Sequence, residues 1–251
     1  ASGLWTMLEM RPYGIIANPN DQPKAVFINA MATAPFAPEA SITLKGREMD
    51  FQSGIKVLSL LASKTVLSIA EDESSTALVG AENVEIHRFQ GQHPAGNTSV
   101  HIAHVSPLNK GEVVWAIDAQ DVAILGQFFR LGEVHLERVI TMGGTGFVDP
   151  SYVKAMPCMQ LTSAMDEALR VDRTYRVISG SVLTGQAVGK DGFLSYNANQ
   201  LTAIPEGEGT EFFGWVSIIN IAVLFISGIL VIVMRGPISK IHSKIFGLDQ
   251  Q

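Results

Sequence analysis

The chain has 251 residues, enough for one large domain or two smaller ones, with 47% hydrophobic residues, 17% charged residues and a formal net charge of −6. It contains no long Lys/Arg run, which argues against a nucleic-acid partner, because neutralising phosphates needs a basic face. A single cysteine, Cys158, rules out an intrachain disulfide and a thiolate-held iron–sulfur cluster.

The opening stretch "SGLWTMLEMRPYG" combines Gly3, a rigid aromatic at Trp5 and the run Arg11-Pro12-Tyr13, with no strand before it to hold it. It reads as a binding-site loop, and its first residues lack the basic and apolar regions of a secretory signal. "NPNDQPK" is turn chemistry, and "AVFINAM" (25–31) then reads as a strand closed by the two prolines of "TAPFAPE". In "DFQSGIKVLSLLA" (50–62), Phe51, Ile55, Leu58 and Leu61 recur at helical spacing, so an amphipathic helix is expected. "KTVLSIAED" (64–72) is a second buried strand, which completes a βαβ pattern of a parallel sheet. The acidic run at Glu71, Asp72 and Glu73 reads as a solvated face, and "VEIHRFQG" (84–91) as a third strand.

His93, His101 and His104 lie close together in sequence. In a strand, residues 101 and 104 would point to opposite faces, so polar positions on a half-buried strand or helix fit better than a metal site. "EVVWAIDAQDVAILGQFFRLG" (112–132) reads as a strand followed by a helix, with Asp118 or Gln120-Asp121 near the helix start. "HLERVITMGG" (135–144) is a further strand, and "GGTG" after it is a turn rather than a phosphate cradle. The pattern then changes: a short helix follows within "MDEALRVDRTYRVISGSVLTGQAV", then "YRVISGSVLTG" as a strand and glycine turn. A boundary between about 134 and 150 follows, with residues 1–134 as an α/β domain and 135–212 as a smaller one.

From Val216 to Met234 the chain runs 19 residues without a charge. As a helix this spans roughly 28 Å, close to the thickness of a bilayer core. Trp215 and Phe213 sit at one end as interface anchors, and Arg235, Lys240 and Lys244 at the other. Residues 213–251 are therefore expected to form a membrane helix and a short amphipathic tail, the alternative being a buried core helix.

Dinucleotide, Walker, paired-cysteine and nucleophile-elbow motifs are all missing from the sequence. Cys158 in "MPCMQ" has no base beside it and reads as a buried small hydrophobe. No catalytic residue and no metal site is assigned, so a binding or scaffolding subunit fits the residues best.

The segments "SGLWT…RPY", "AVFINAMATAPFAPE", "FQGQHPAGNTSVHI", "VVWAIDAQDVAILGQFF", "GEVHLERVITMGG" and "VISGSVLTG…GFLSYNANQL…EFFGW" occur in one order. That order resembles the NqrA subunit of the Na⁺-translocating NADH:quinone oxidoreductase (Na⁺-NQR) over residues 2–215. The resemblance implies a Rossmann-like domain related to the flavin-binding subunit of complex I, followed by a β-grasp-like soluble-ligand-binding (SLBB) module. Those flavin-binding relatives use a glycine-rich loop to admit the flavin phosphate. Here Trp5, Met7, Leu8 and Met10 stand in the corresponding stretch, and "NAMATAPFAP" carries no carboxylate. Neither FMN nor NADH binding is expected, and no Fe–S cluster.

What the resemblance implies is a quinone-handling subunit of a sodium-pumping NADH:ubiquinone reductase, working beside the integral-membrane quinone/flavin subunit. A quinone needs an apolar wall and a few donors for its carbonyls. Trp5 and Met10 are candidate wall, Arg11 and Tyr13 candidate donors, and the bland alternative places Trp5 and Met10 in the core. An alternative function is a membrane-tethered binding or structural protein with no redox activity. The family also carries an N-terminal portion resembling a biotinyl/lipoyl carrier fold and a soluble C-terminal domain, so this chain is expected to be truncated and to differ in its tail. Localisation at the cell (inner) membrane follows, with the main domain on the cytoplasmic side. The basic residues after Met234 pull the other way, since the positive-inside rule puts them in the cytoplasm.

Overall fold

The computed structural model describes residues 2–162, 165, 167–189 and 191–207. The chain divides into two compact units, Ala1–Glu206 and Gly207–Gln251. The expected span at 216–234 and its amphipathic tail lie outside the described residues. Among the described residues, no helix is long and apolar enough to cross a membrane.

Two sheets build the first unit. The first contains β1 (Glu9–Arg11), β2 (Ile15–Ile16), β3 (Val26–Asn29), β4 (Thr65–Ala70), β5 (Glu85–Phe89) and β6 (Val114–Asp118), in the order β2-β1-β6-β3-β4-β5. Strands β6, β3, β4 and β5 are parallel, while β1 adds antiparallel to β6 and β2 to β1. The parallel strands are buried on both faces, which is why "TVLSIA" and "VWAID" read as near-continuous apolar runs. The opening loop is therefore not loose. Leu4–Met7 forms a 3₁₀ turn, and Glu9–Arg11 is held in the sheet by an edge that β6 supplies.

Helix α2 (Glu48–Leu58) follows the short helix α1 (Ala40–Thr43) and buries Phe51, Ile55 and Leu58 on one stripe, as the spacing predicts. Each such side chain contributes about 1.5–3 kcal/mol on burial. The helix stops at Leu58, so Leu61 packs from the turn beyond it. Helix α5 (Ala119–Leu131) lies against α2, and two glycines set the closeness of that crossing. A Cβ on Gly126 would fall 1.8 Å from the Asp50 carbonyl oxygen, and one on Gly54 2.1 Å from the Val122 carbonyl oxygen. "TSVHIAHV" is a helix, α4 (Thr98–Val105), and it covers the opposite sheet face over Phe27, Val66 and Val114. A four-residue helix α3 (Thr76–Val79) links β4 to β5.

The second sheet contains β7 (Arg138–Gly143), β8 (Ser151–Ala155), β9 (Tyr175–Ser179), β10 (Gln186–Ala187) and β11 (Gln200–Pro205). Its order is β10-β9-β11-β7-β8, with the first and last strands, β7 and β11, parallel neighbours at its centre and the other pairs antiparallel. That is the strand arrangement of a β-grasp. Its own core centres on Ile140, Phe147, Leu161, Leu194 and Leu201, separate from that of the first sheet. The change from one sheet to the other falls between the end of α5 at Leu131 and the start of β7 at Arg138.

One expectation is corrected. Cys158 is exposed rather than buried, and it has a positive φ of 60°. It sits in the turn after Pro157, where the chain reverses on the surface, so its apolar character does not place it in the core.

Candidate functional site

In an open parallel sheet, ligands bind outside the carboxyl ends of the strands where the strand order reverses. Here that point lies between β3 and β6. The chain leaves β3 toward α2 on one face and reaches β6 from α4 on the other. Asn29 and Asp118, the last residues of the two strands, stand opposite each other in register.

Both side chains are fully engaged. Asn29 Nδ2 donates to the Gly96 carbonyl at 2.9 Å and to Thr98 Oγ1 at 3.0 Å, while its Oδ1 accepts from the Met31 amide at 2.9 Å. Asp118 caps α5 by accepting from the Gln120 amide at 2.9 Å, as the sequence suggests, and its second oxygen accepts from Asn199 Nδ2 at 3.0 Å. Asn199 Oδ1 in turn accepts from Arg138 Nη1 at 3.0 Å, and Arg138 Nη2 donates to Asp121 Oδ1 at 2.7 Å. Arg138 is 1% exposed and Asp121 is 5% exposed. Burial pushes the Asp121 carboxyl up to about 7, against the pull of Arg138, and it raises Asp118 as well. The Gln120 amide closes a two-bond clamp on the Val139 backbone, with both bonds at 2.8 Å. These residues tie α5 of the first sheet to β7 and the β11 approach of the second.

A cleft of about 440 Å³ opens at this switch point, lined by amide and hydroxyl side chains such as Asn29, Asn97, Asn197 and Gln200, with Arg11 at its edge. A second cavity of about 320 Å³ adjoins it and shares Asn29, Asp118, Asn197 and Asn199. No nucleophile–base pair occurs in either lining, and among the described residues no group of three His, Cys, Asp or Glu is placed to hold a metal.

The loop that leaves β3, Ala30–Pro38, is where a Rossmann-type site receives phosphate. It has no glycine, and its two flanks hold it fixed. On one side Thr33 Oγ1 accepts from the Gly96 amide at 3.0 Å. On the other, the Pro35 carbonyl accepts from Gln200 Nε2 at 3.0 Å, and the Phe36 carbonyl from Thr141 Oγ1. The four-residue helix after it offers a single turn and opens with Glu39, which repels an anion.

The four quinone candidates occupy three different settings. Trp5 packs edge-to-face on Trp115 at 5.3 Å and donates from Nε1 to the Ala17 carbonyl at 2.6 Å. Met10 is buried in the main core, paired across the sheet with Trp115. Arg11 points to the other face of the sheet, bridges Glu9 at 3.0 Å and borders the polar cleft. Tyr13 sits at the hairpin tip, 63% exposed. Of the histidines, His101 is buried, donates from Nε2 to the Ala95 carbonyl at 2.9 Å and stacks on Phe89, while His104 is exposed. Periodicity and motif give little hint of the Arg138–Asn199–Asp118 network. The one signal for it is a charged residue opening the apolar strand "RVITM".

Comparison with known proteins places the chain in a family. Residues 1–134 match the family described as the second alpha/beta domain of NqrA, and residues 139–190 match the NQRA C-terminal domain. The NqrA protein of Haemophilus influenzae (strain PittEE), from the Na⁺-translocating NADH-quinone reductase, is 38% identical over 218 residues, covering 86% of this chain and 48% of the relative. Its counterpart in Neisseria gonorrhoeae (strain NCCP11945) is 37% identical over 217 residues, with the same shares. The chain thus spans about half the length of the curated relatives it matches. Among solved structures, an NAD⁺-reducing [NiFe]-hydrogenase in the H₂-reduced state aligns with a TM-score of 0.52 at 13% identity, over 73% of this chain and 41% of that one, a likeness of fold alone.

Proposed function

Because this chain belongs to the NqrA family of the Na⁺-translocating NADH-quinone reductases, we propose that it acts as a non-flavin subunit of such a reductase. In this reading it supports electron transfer from NADH to ubiquinone coupled to Na⁺ export, and it handles the quinone rather than the NADH. The observation that carries the reading is the family match, which runs through both sheets in one chain. The absence of a flavin role rests on the loop after β3. It is glycine-free and bonded to β7 and β11, so a phosphate approaching the switch point would meet side chains and carbonyl oxygens instead of open amides.

Partners in this reading are the other subunits, including the integral-membrane quinone/flavin subunit, and the site of work is the cytoplasmic side of the cell membrane. The exposed apolar residues Tyr13, Ile15 and Ile16 on the β1–β2 edge suit a protein contact better than solvent. The test is genetic and enzymatic together. Deleting the chain from its host should abolish Na⁺-dependent quinone reduction by NADH in isolated membranes, and re-expression should restore it. Unchanged sodium-dependent activity in the deletion strain would reject the reading in favour of a binding protein without a redox role.

A further inference from the structure

A third cleft, of about 510 Å³, lies on the second sheet away from the switch point, and its lining is mainly apolar. Phe36, Phe147, Pro150, Tyr175 and Pro205 form its walls, and Arg170 and Arg173 stand at its rim. The cleft has the marks of a built feature. Phe36 reaches it from the β3 loop with a φ of 63°, a left-handed conformation that a bulky residue adopts only when its surroundings hold it there. The Phe36 carbonyl is held by Thr141 Oγ1, yet the residue stays 49% exposed at the cleft. The opposing strand makes room for it: a Cβ at Gly143 would lie 2.4 Å from Phe36 Cβ. Gly144, at φ 105°, passes so near the Ala203 carbonyl oxygen that a Cβ would come within 2.3 Å.

Strain in an aromatic that remains half open to solvent is a pointer to a ligand. The polar groups fit the same idea. Arg170 Nε donates to the Phe147 carbonyl at 3.1 Å and Arg173 Nε to Asp172 Oδ2 at 3.3 Å, so both guanidiniums are anchored through Nε. Among the described residues, no protein acceptor takes their terminal Nη groups. Asp172 also fixes the Tyr175 hydroxyl at 2.8 Å. An aromatic and proline wall with hydrogen-bond donors at one rim matches a flat ring that carries carbonyl acceptors and an apolar tail.

We propose that this cleft, and not the opening hairpin, binds the quinone ring, with Phe36 and Tyr175 against its faces and Arg173 or Arg170 donating to a carbonyl oxygen. The inference rests on the quinone-handling reading given above.

The test titrates the full chain with a short-chain ubiquinone, parent against Arg173→Gln and Phe36→Gly, with an azido-ubiquinone photolabel mapped by peptide analysis. Glycine takes a positive φ without strain, so Phe36→Gly should keep or raise the melting temperature while removing one wall. Arg173→Gln removes a donor from an exposed position. Each variant should weaken binding roughly tenfold, the loss expected for one charge-assisted contact or one ring wall, and the label should map to residues 144–150 or 170–175. Unchanged affinity in both variants, or labelling confined to residues 4–13, overturns the cleft while leaving the quinone reading in place. No binding by the parent chain overturns both.

Discussion

Replacing Arg138 by methionine isolates the electrostatics that join the two sheets. The guanidinium is 1% exposed and bonds Asp121 at 2.7 Å and Asn199 at 3.0 Å. Asp121 titrates at about 7 in the folded chain because burial disfavours its charge, whereas an unfolded aspartate titrates near 3.9. Its folded pKa is raised, so its contribution to stability is fully present below about pH 4 and is lost as the pH rises through about 7. Above that, the parent ionises Asp121 against Arg138 and the loss levels off. Without the cation the carboxyl keeps its proton to higher pH, so the variant goes on losing up to ~1.4 kcal/mol per pH unit. Between pH 7 and 8.5 this opens a gap of about 2 kcal/mol, above a pH-independent cost of about 1.5–3 kcal/mol for the charged bond to Asn199. Urea unfolding followed by tryptophan fluorescence at pH 6, 7 and 8.5 measures both parts. Adding Asp121→Asn should remove the pH-dependent part. An Arg138→Met penalty that stays flat or shrinks from pH 7 to 8.5 would refute the reasoning.

Three further outcomes follow from the packing. Gly126→Ala should force α2 and α5 apart and cost about 2–3 kcal/mol despite alanine's better helix propensity, read as a fall in the urea midpoint; a neutral result would deny the close crossing. Thr141→Val removes the hydroxyl bond to the Phe36 carbonyl and should cost about 1 kcal/mol, with faster protease cleavage between residues 30 and 38. Trp5→Phe loses the bond to the Ala17 carbonyl and should lower stability by about 1 kcal/mol in the same unfolding assay, while leaving short-chain ubiquinone affinity unchanged. A large affinity loss in that variant would return Trp5 to the quinone site.

The parallel half of the first sheet could be read from the sequence because its strands are short apolar runs alternating with a helix of clear period, as at Thr65–Ala70 and Glu48–Leu58. Strands β1 and β2 could not. Glu9–Arg11 and Ile15–Ile16 are three and two residues long, and the ladder offered by β6, not local propensity, makes them strands. "TSVHIAHV" is ambiguous in sequence because its β-branched residues and histidines suit either state; packing over Phe27 and Val66 makes it a helix. The site divides in the same way. Asp118 shows itself through local capping chemistry, which needs only the next two residues. Arg138 does not, because its acceptors lie 17 and 61 residues away and only the fold brings them together. Phe36 is hidden for a related reason: its unusual backbone depends on Gly143, more than a hundred residues later.

The central claim, that this chain is a working subunit of a sodium-pumping quinone reductase, meets its most direct test in one purification. The chain is tagged at its own locus, mild detergent solubilises the host membranes, and mass spectrometry identifies what elutes with it. The account predicts co-elution with the integral-membrane and flavin-bearing subunits of the reductase in near-equal amounts, with no flavin assigned to this chain itself. Elution of the chain alone, while an active reductase is recovered without it, would contradict the account.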